Sequence, residues 1–239
     1  MLLLAIDTSG PSGSIALAQC GPGDACRVLE TVTIAGGTFS AQLVPQIAAL
    51  LDKHAFTKRD LAGFAVASGP GSFTGLRVGL AAVKALAEVL HQPIATISLL
   101  EAVATVSGRS GRVTAALDAG RNEMFVGEYE VTASGAHETR EFVVSRGDWP
   151  KLKPDSVIVT PDQTVADAAR AHGCTVQRIE RPRSDEIARL GWKRTQAGRT
   201  VSTEDLEANY IRRSDAEIFS KPALDAVASS ASVPKPGRS

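Results

Sequence analysis

The stretch Ala5-Ile6-Asp7-Thr8-Ser9 returns 111 residues later as Ala116-Leu117-Asp118-Ala119-Gly120, in the shared form small, aliphatic, Asp, small, small. Each copy closes an apolar run and opens a turn, and the elements around it recur in the same order, so the chain reads as two similarly built halves. In the first half, Leu2 to Asp7, Ser14 to Gln19 and Arg27 to Ile34 read as three strands. A helix follows with Leu43, Ile47, Leu50 and Leu51 on one face, kinked or begun at Pro45. Thr57 and Asp60 fit a helix start before a short strand at Phe64 to Ala67. A long helix then runs to about Leu90, a strand covers Pro93 to Ile97, and Ser98 with Glu101 forms a capping box opening another helix. The second half restarts with strands at Val113 to Asp118, Met124 to Val131 and Glu138 to Val144. It continues with a strand at Val157 to Thr160, a helix at Val165 to His172, a strand at Thr175 to Ile179 and a helix at Asp185 to Gln196. Strands alternating with helices predict an α/β protein with one lobe over 1–110 and a second over 111–215. After Ile218 the residues are mostly Ala, Ser, Pro, Lys and Gly, so 216–239 is expected to be a flexible tail.

Twenty-six basic residues balance 26 acidic ones, which gives the whole chain no electrostatic pull toward a phosphate backbone and argues against a stand-alone nucleic-acid binder. Cys20, Cys26 and Cys174 are odd in number and contain no C-x-x-C pair, so the pattern suggests neither a disulfide framework nor a thiolate zinc site, and a reducing cytoplasm is the expected location. The apolar run Leu2 to Ile6 is short and has no basic flank, unlike a signal peptide, and no run is long enough to span a membrane. His54, His91, His137 and His172 are scattered, with no pair at ligand spacing.

From Leu61 to Gly108 only Arg77, Lys84, Glu88 and Glu101 are charged. Helices this poor in charge must be covered on more than one face. Within the same stretch, Gly69-Pro70-Gly71-Ser72-Phe73-Thr74-Gly75 is a turn-rich loop that opens the long helix but matches neither a P-loop nor G-x-G-x-x-G. Its glycines, with Gly79 and Ala82, read as places where another helix comes close, while an anion at the helix N-terminus is the sharper alternative. Asp7 and Asp118 either cap their turns or face one cleft as a pair able to hold a metal-bound water. In the second case Thr8 and Gly120 would lie beside them as parts of a phosphate loop. The run from Arg178 to Arg199 carries a basic surplus, which a solvated helix face explains better than RNA contact.

The stretch Ala67 to Gly79 closely resembles the signature of the TsaB (YeaZ) family. Leu4 to Ser9, Leu117-Asp118-Ala119-Gly120-Arg121-Asn122-Glu123 and Tyr210-Ile211-Arg212 resemble it as well, so the likeness spans about residues 2 to 213. The resemblance implies a two-lobed actin-like fold, of the sugar kinase, Hsp70 and actin type with RNase-H-like lobes and a duplicated core. It implies a non-catalytic subunit in the synthesis of threonylcarbamoyladenosine beside the tRNA anticodon. In that system TsaD transfers the threonylcarbamoyl group to the adenosine N6, with TsaB and the ATPase TsaE as partners. TsaD carries two metal-binding histidines, and the resemblance places Leu99 and Val103 where they would be; neither can ligate a metal. The TsaD elements that hold the nucleotide are missing, the nearest run being Val159 to Gln163. No cofactor and no metal are therefore expected, and tRNA contact is expected only through the complex. The helices over 40–54 and 72–90 would dock a TsaD-type transferase, or a second copy when alone, through Leu43, Ile47, Leu76, Gly79, Leu80 and Val83, though some of these must face the lobe's own sheet. The rival reading is an actin-like ATPase or phosphotransferase using Asp7 and Asp118 with magnesium. A metalloprotease and a direct tRNA binder are weaker alternatives.

Overall fold

The computed structural model describes residues 1–23, 25–148 and 156–211. The expected tail at 216–239 lies outside the described residues, as does Arg212. The first half comprises β1 (Leu2–Asp7), β2 (Ser12–Cys20), β3 (Cys26–Ala35), α1 (Phe39–Lys53), β4 (Leu61–Gly69), α2 (Phe73–Leu90), β5 (Ile94–Ser98) and α3 (Leu99–Val106). The second comprises β6 (Gly111–Gly120), β7 (Glu123–Thr132), β8 (Gly135–Ser145), β9 (Val157–Thr160), α4 (Gln163–Ala171), β10 (Val176–Arg178) and α5 (Ser184–Gln196).

The strands form two five-stranded sheets, ordered β3-β2-β1-β4-β5 and, read from its other edge, β8-β7-β6-β9-β10. In each, the first three strands are antiparallel and the fourth and fifth run parallel to the first. Order and strand sense therefore match strand for strand, and Asp7 and Asp118 occupy equivalent strand ends.

Burial explains the apolar runs. The first sheet is covered on both faces, so β1 and β4 are buried almost throughout. One face carries Leu4, Ile6, Ile15, Leu17, Phe64 and Val66, and meets Leu43, Ile47, Leu50, Leu76, Leu80 and Val83 of α1 and α2. The other face carries mostly alanines, Ala5, Ala16, Ala18, Ala65 and Ala67, and meets α5. Small residues let that helix come close: a Cβ built on Gly191 would lie 2.3 Å from the Cβ of Ala65. α3 packs between the sheets, touching β4 and β5 on one side and β6, β7 and β8 on the other. A smaller cluster, Ala116, Met124, Val126, Ile158, Val165 and Ala169, joins α4 to the outer face of the second sheet.

Several local expectations change. Of the two places offered for Pro45, the structure takes the helix interior and not the first turn. Thr57 and Asp60 frame a single 3-10 turn rather than an α-helix. Ser98 does cap α3, accepting from Leu100 N at 3.2 Å, but Glu101 does not reach back to it. Arg194, arriving from α5, bonds Glu101 and the Thr96 carbonyl instead. The basic run 178–199 is not simply a solvated face: Arg178 bonds Gln163 and the Pro161 carbonyl, Arg189 pairs with Asp185 and Glu186, and Arg194 turns inward.

Candidate functional site

The matched strand ends open onto one cleft of about 1150 Å3. Its walls come from the β1–β2 turn, the glycine-rich loop and N-terminal turn of α2, the end of β6 and the segment 209–211. The loop lies where it does because the glycines give their space to the β1–β2 turn. A Cβ on Gly71 would sit 2.5 Å from the Ser9 carbonyl oxygen, one on Gly75 2.0 Å from that of Thr8, and one on Gly79 2.3 Å from Thr8 Oγ1. The close neighbour is thus the end of β1 and the turn after it, not the second helix expected from the sequence. Hydrogen bonds lock the contact: Thr8 Oγ1 donates to the Gly75 carbonyl at 2.8 Å and Ser72 N donates to the Ser9 carbonyl at 2.7 Å. Ser72 caps α2 by accepting from Gly75 N at 3.3 Å.

Of the four phosphate-loop candidates, Asp118 and Gly120 line the cleft, whereas Asp7 and Thr8 lie behind its wall. Asp7 is 3% exposed and accepts Ser9 N at 2.8 Å, so it works as a turn cap. Asp118 is occupied on both oxygens. Oδ1 accepts Gly120 N at 2.8 Å, and Oδ2 accepts Arg146 Nη2 at 2.7 Å and Thr164 Oγ1 at 2.9 Å. Burial disfavours its charge, but the bonds from Gly120, Thr164 and Arg146 outweigh burial and hold it below the usual aspartate value. A carboxylate already paired with a guanidinium is a poor seat for magnesium. The two aspartates therefore do not form the open pair that the rival reading requires. Among the described residues no three His, Cys, Asp or Glu side chains gather into a metal-holding group. Leu99 and Val103 are fully buried in the core between the sheets.

Pairings that the sequence did not announce shape the cleft and its floor. Asp162 accepts Asp118 N at 2.8 Å and faces Arg181 at 3.9 Å. Behind the wall, Glu141 of β8 accepts from Ser98 Oγ, Tyr129 OH and Asn209 Nδ2, the last at 2.7 Å. This ties the end of β5 and segment 209–211 to the second sheet. At the mouth, the Arg77 guanidinium lies 3.8 Å over the Phe73 ring, which is 5.3 Å from Tyr210. None of these pairings has a sequence spacing that would announce it.

The expected docking seam needs correction. Leu43, Ile47, Leu76, Gly79, Leu80 and Val83 are all buried against the chain's own first sheet, with Val83 fully so and Leu80, the most open of the leucines, at 8%. What faces solvent is the opposite side of the same two helices. Val44 is 61% exposed and Val89 70%; Ala41, Ala48 and Ala49 of α1 and Ala81 and Ala85 of α2 are exposed too, Val78, Ala82 and Leu86 are half-buried, and the exposed Gln42, Arg77, Lys84 and Glu88 are interspersed with them. Among the described residues, no helix is long and apolar enough to cross a membrane.

Comparison with known proteins places these features in a family. Residues 33–155 match the family model described as TsaD, tRNA N6-adenosine threonylcarbamoyltransferase. The chain is 29% identical over 230 residues to the tRNA threonylcarbamoyladenosine biosynthesis protein TsaB of Bacillus subtilis, covering 91% of this chain and 96% of that one. To the protein of the same name from Escherichia coli it is 26% identical, with 89% and 95% covered. A Pseudomonas aeruginosa structure described as an uncharacterized protein with similarity to the peptidase YEAZ superimposes with a TM-score of 0.72 at 25% identity, covering 88% of this chain and 99% of the other.

Proposed function

The chain belongs to the TsaB (YeaZ) family, and from that premise we propose that it is a non-catalytic, activating subunit of the assembly that places threonylcarbamoyl on the adenosine N6 beside the tRNA anticodon. It docks a TsaD-type transferase through the outer face of α1 and α2, and pairs through the same face with a second copy when the transferase is absent. The observation that carries this reading is that α1 and α2, two adjacent helices whose other sides are committed to the core, leave Val44 and Val89 exposed to solvent. Aliphatic and small residues on neighbouring helices suit ridge-and-groove packing against a similar pair. A TsaE-type ATPase joins the resulting complex, tRNA meets this chain only there, and the cytoplasm is the place of action.

The matching strand orders support a duplicated, actin-like core with lobes over 1–110 and 111–215. On that division α5 belongs by sequence to the second lobe and by packing to the first. No cofactor is required by this role. The ATPase alternative draws nothing from the paired Asp118 or the capped Asp7.

The test is co-purification with the transferase from the same organism, followed by measurement of threonylcarbamoyl transfer. Val44→Glu and Val89→Glu change solvent-facing positions and leave the core intact. The expected outcome is a folded protein that neither captures the transferase nor supports transfer. Retained capture and retained activity in the double variant would place the docking surface elsewhere.

A further inference from the structure

Two thiols meet at the far end of the first sheet, away from the cleft and from the outer helical face. Cys20 and Cys26 are directly opposed as the last pair of the β2–β3 ladder. Opposed residues in antiparallel strands have Cα atoms about 4.5 to 5.5 Å apart, inside the span that a disulfide bridges. The Sγ atoms are 2.8 Å apart, closer than two sulfurs that merely touch. The hairpin is held around them: Cys20 N donates to the Met1 carbonyl at 2.8 Å, Gly21 N to the Ala25 carbonyl at 2.7 Å, and Trp192 Nε1 of α5 to the Gly23 carbonyl at 3.0 Å.

The two sulfurs are unlike. Cys20 is 4% exposed, whereas Cys26 is partly open to solvent. The hydrogen bond from Cys20 holds the Cys26 thiol below its usual range; burial works against this, Arg189 assists it and Glu186 opposes it. Cys20, donating to Cys26, is pushed up. Such an arrangement has an accessible nucleophile backed by a resolving thiol.

We propose that Cys20 and Cys26 are a reversible dithiol–disulfide site that reacts with low-molecular-weight disulfides of the glutathione type. The Cys26 thiolate attacks one sulfur of the small disulfide, forming a mixed disulfide and expelling one thiolate. Cys20 loses its proton and attacks Cys26 Sγ, forming the Cys20–Cys26 bond and expelling the second thiolate. The pair gives up two electrons, and the small disulfide becomes two thiols. The product staples the edge strand β3 to β2 beneath α5, and an excess of small thiol reverses it.

The whole protein is treated with glutathione disulfide, alkylated and digested with trypsin. Residues 1–27 contain no Lys or Arg before Arg27, so both thiols fall in one peptide, with Cys174 in another as an internal reference. The expected result is a 1–27 peptide lacking two hydrogens and carrying no alkyl group, restored to two alkyl groups by dithiothreitol, while Cys174 remains alkylated. Cys20→Ala should stop at a mixed disulfide on Cys26, and Cys26→Ala should slow reaction of the 1–27 region by roughly tenfold or more, as loss of the more reactive thiolate requires. A doubly alkylated 1–27 peptide in glutathione disulfide, an unresolved mixed disulfide in the unaltered protein, or a chain-to-chain bridge would each overturn the proposal.

Discussion

Replacing Gly75 with Ala tests whether the contact between the glycine-rich loop and the β1–β2 turn holds up the cleft wall. In an ordinary helix the change stabilises by about 1 kcal/mol, because Ala is the better helix former. Here the new methyl would stand 2.0 Å from the Thr8 carbonyl oxygen, a backbone atom that has no rotamer by which to move aside. Reaching the 3.4 Å of an ordinary contact moves the first turn of α2 by more than an ångström. That motion breaks or weakens Thr8 Oγ1 to Gly75 O and Ser72 N to Ser9 O, each worth about 1 kcal/mol. Overpacking of this kind adds about 1 to 3 kcal/mol. After the propensity gain is set against these losses, the net cost is about 3 kcal/mol. For a chain of this size that is a fall in Tm of about 6 to 12 °C. Urea denaturation of the parent and of Gly75→Ala, with Thr74→Ala as an exposed control from the same turn, measures it. The midpoint should drop with an unchanged slope in the Gly75 variant alone. A Gly75→Ala protein as stable as the parent, or more stable, would refute the argument, since the clash and the lost hydrogen bonds would then not exceed the helix gain.

Other expectations follow from the same structure. Val83→Glu places a charge at a fully buried position and should leave insoluble protein, whereas Val44→Glu should fold; circular dichroism of the soluble fractions distinguishes them. Glu141→Ala removes the common acceptor of Ser98, Tyr129 and Asn209 and should cost about 2 to 4 kcal/mol in chemical denaturation, with Glu141→Gln recovering part of the loss. Asp118 has a folded pKa below its unfolded one, so its contribution is complete above the unfolded value and is lost as pH falls through the folded value. The stability gap between the parent and Asp118→Asn should therefore narrow in acid, which denaturation midpoints at neutral pH and well below pH 3.8 compare. Trp192→Phe leaves the Gly23 carbonyl without its donor and should cost about 1 kcal/mol while increasing amide exchange at the hairpin tip.

Elements whose cause is local were legible in the sequence. The bounds of β1, the Ser98 cap and the extent of α2 follow from an apolar run, a small hydroxyl and helical spacing, and each lies where those signals place it, whereas β6 runs two residues past its expected bounds at each end. The apolar faces of α1 and α2 were legible too, but periodicity states only that a face is covered and not by what. The chain's own sheet covers Leu43, Ile47 and Val83, leaving Val44 and Val89 outside. Glu101 was misread because its partner, Arg194, is 93 residues away. Arg146 on Asp118 and Asn209 on Glu141 are similarly distant pairings that only the folded chain creates. The thiol pair lay within six residues yet outside any familiar cysteine spacing; only the register of β2 against β3 sets Cys20 opposite Cys26.

Helix α5 crosses back from the second half of the chain to cover the alanine face of the first sheet, with Gly191 seated on Ala65 and Arg194 joined to Glu101. A fragment ending near residue 110 would therefore leave that sheet wet on one side, and a fragment beginning there would carry an amphipathic helix with nowhere to lie. Truncation should yield two insoluble pieces instead of two modules. Supplied together, they should reassemble by complementation, because the strap that closes the molecule is an ordinary helix and not a threaded loop.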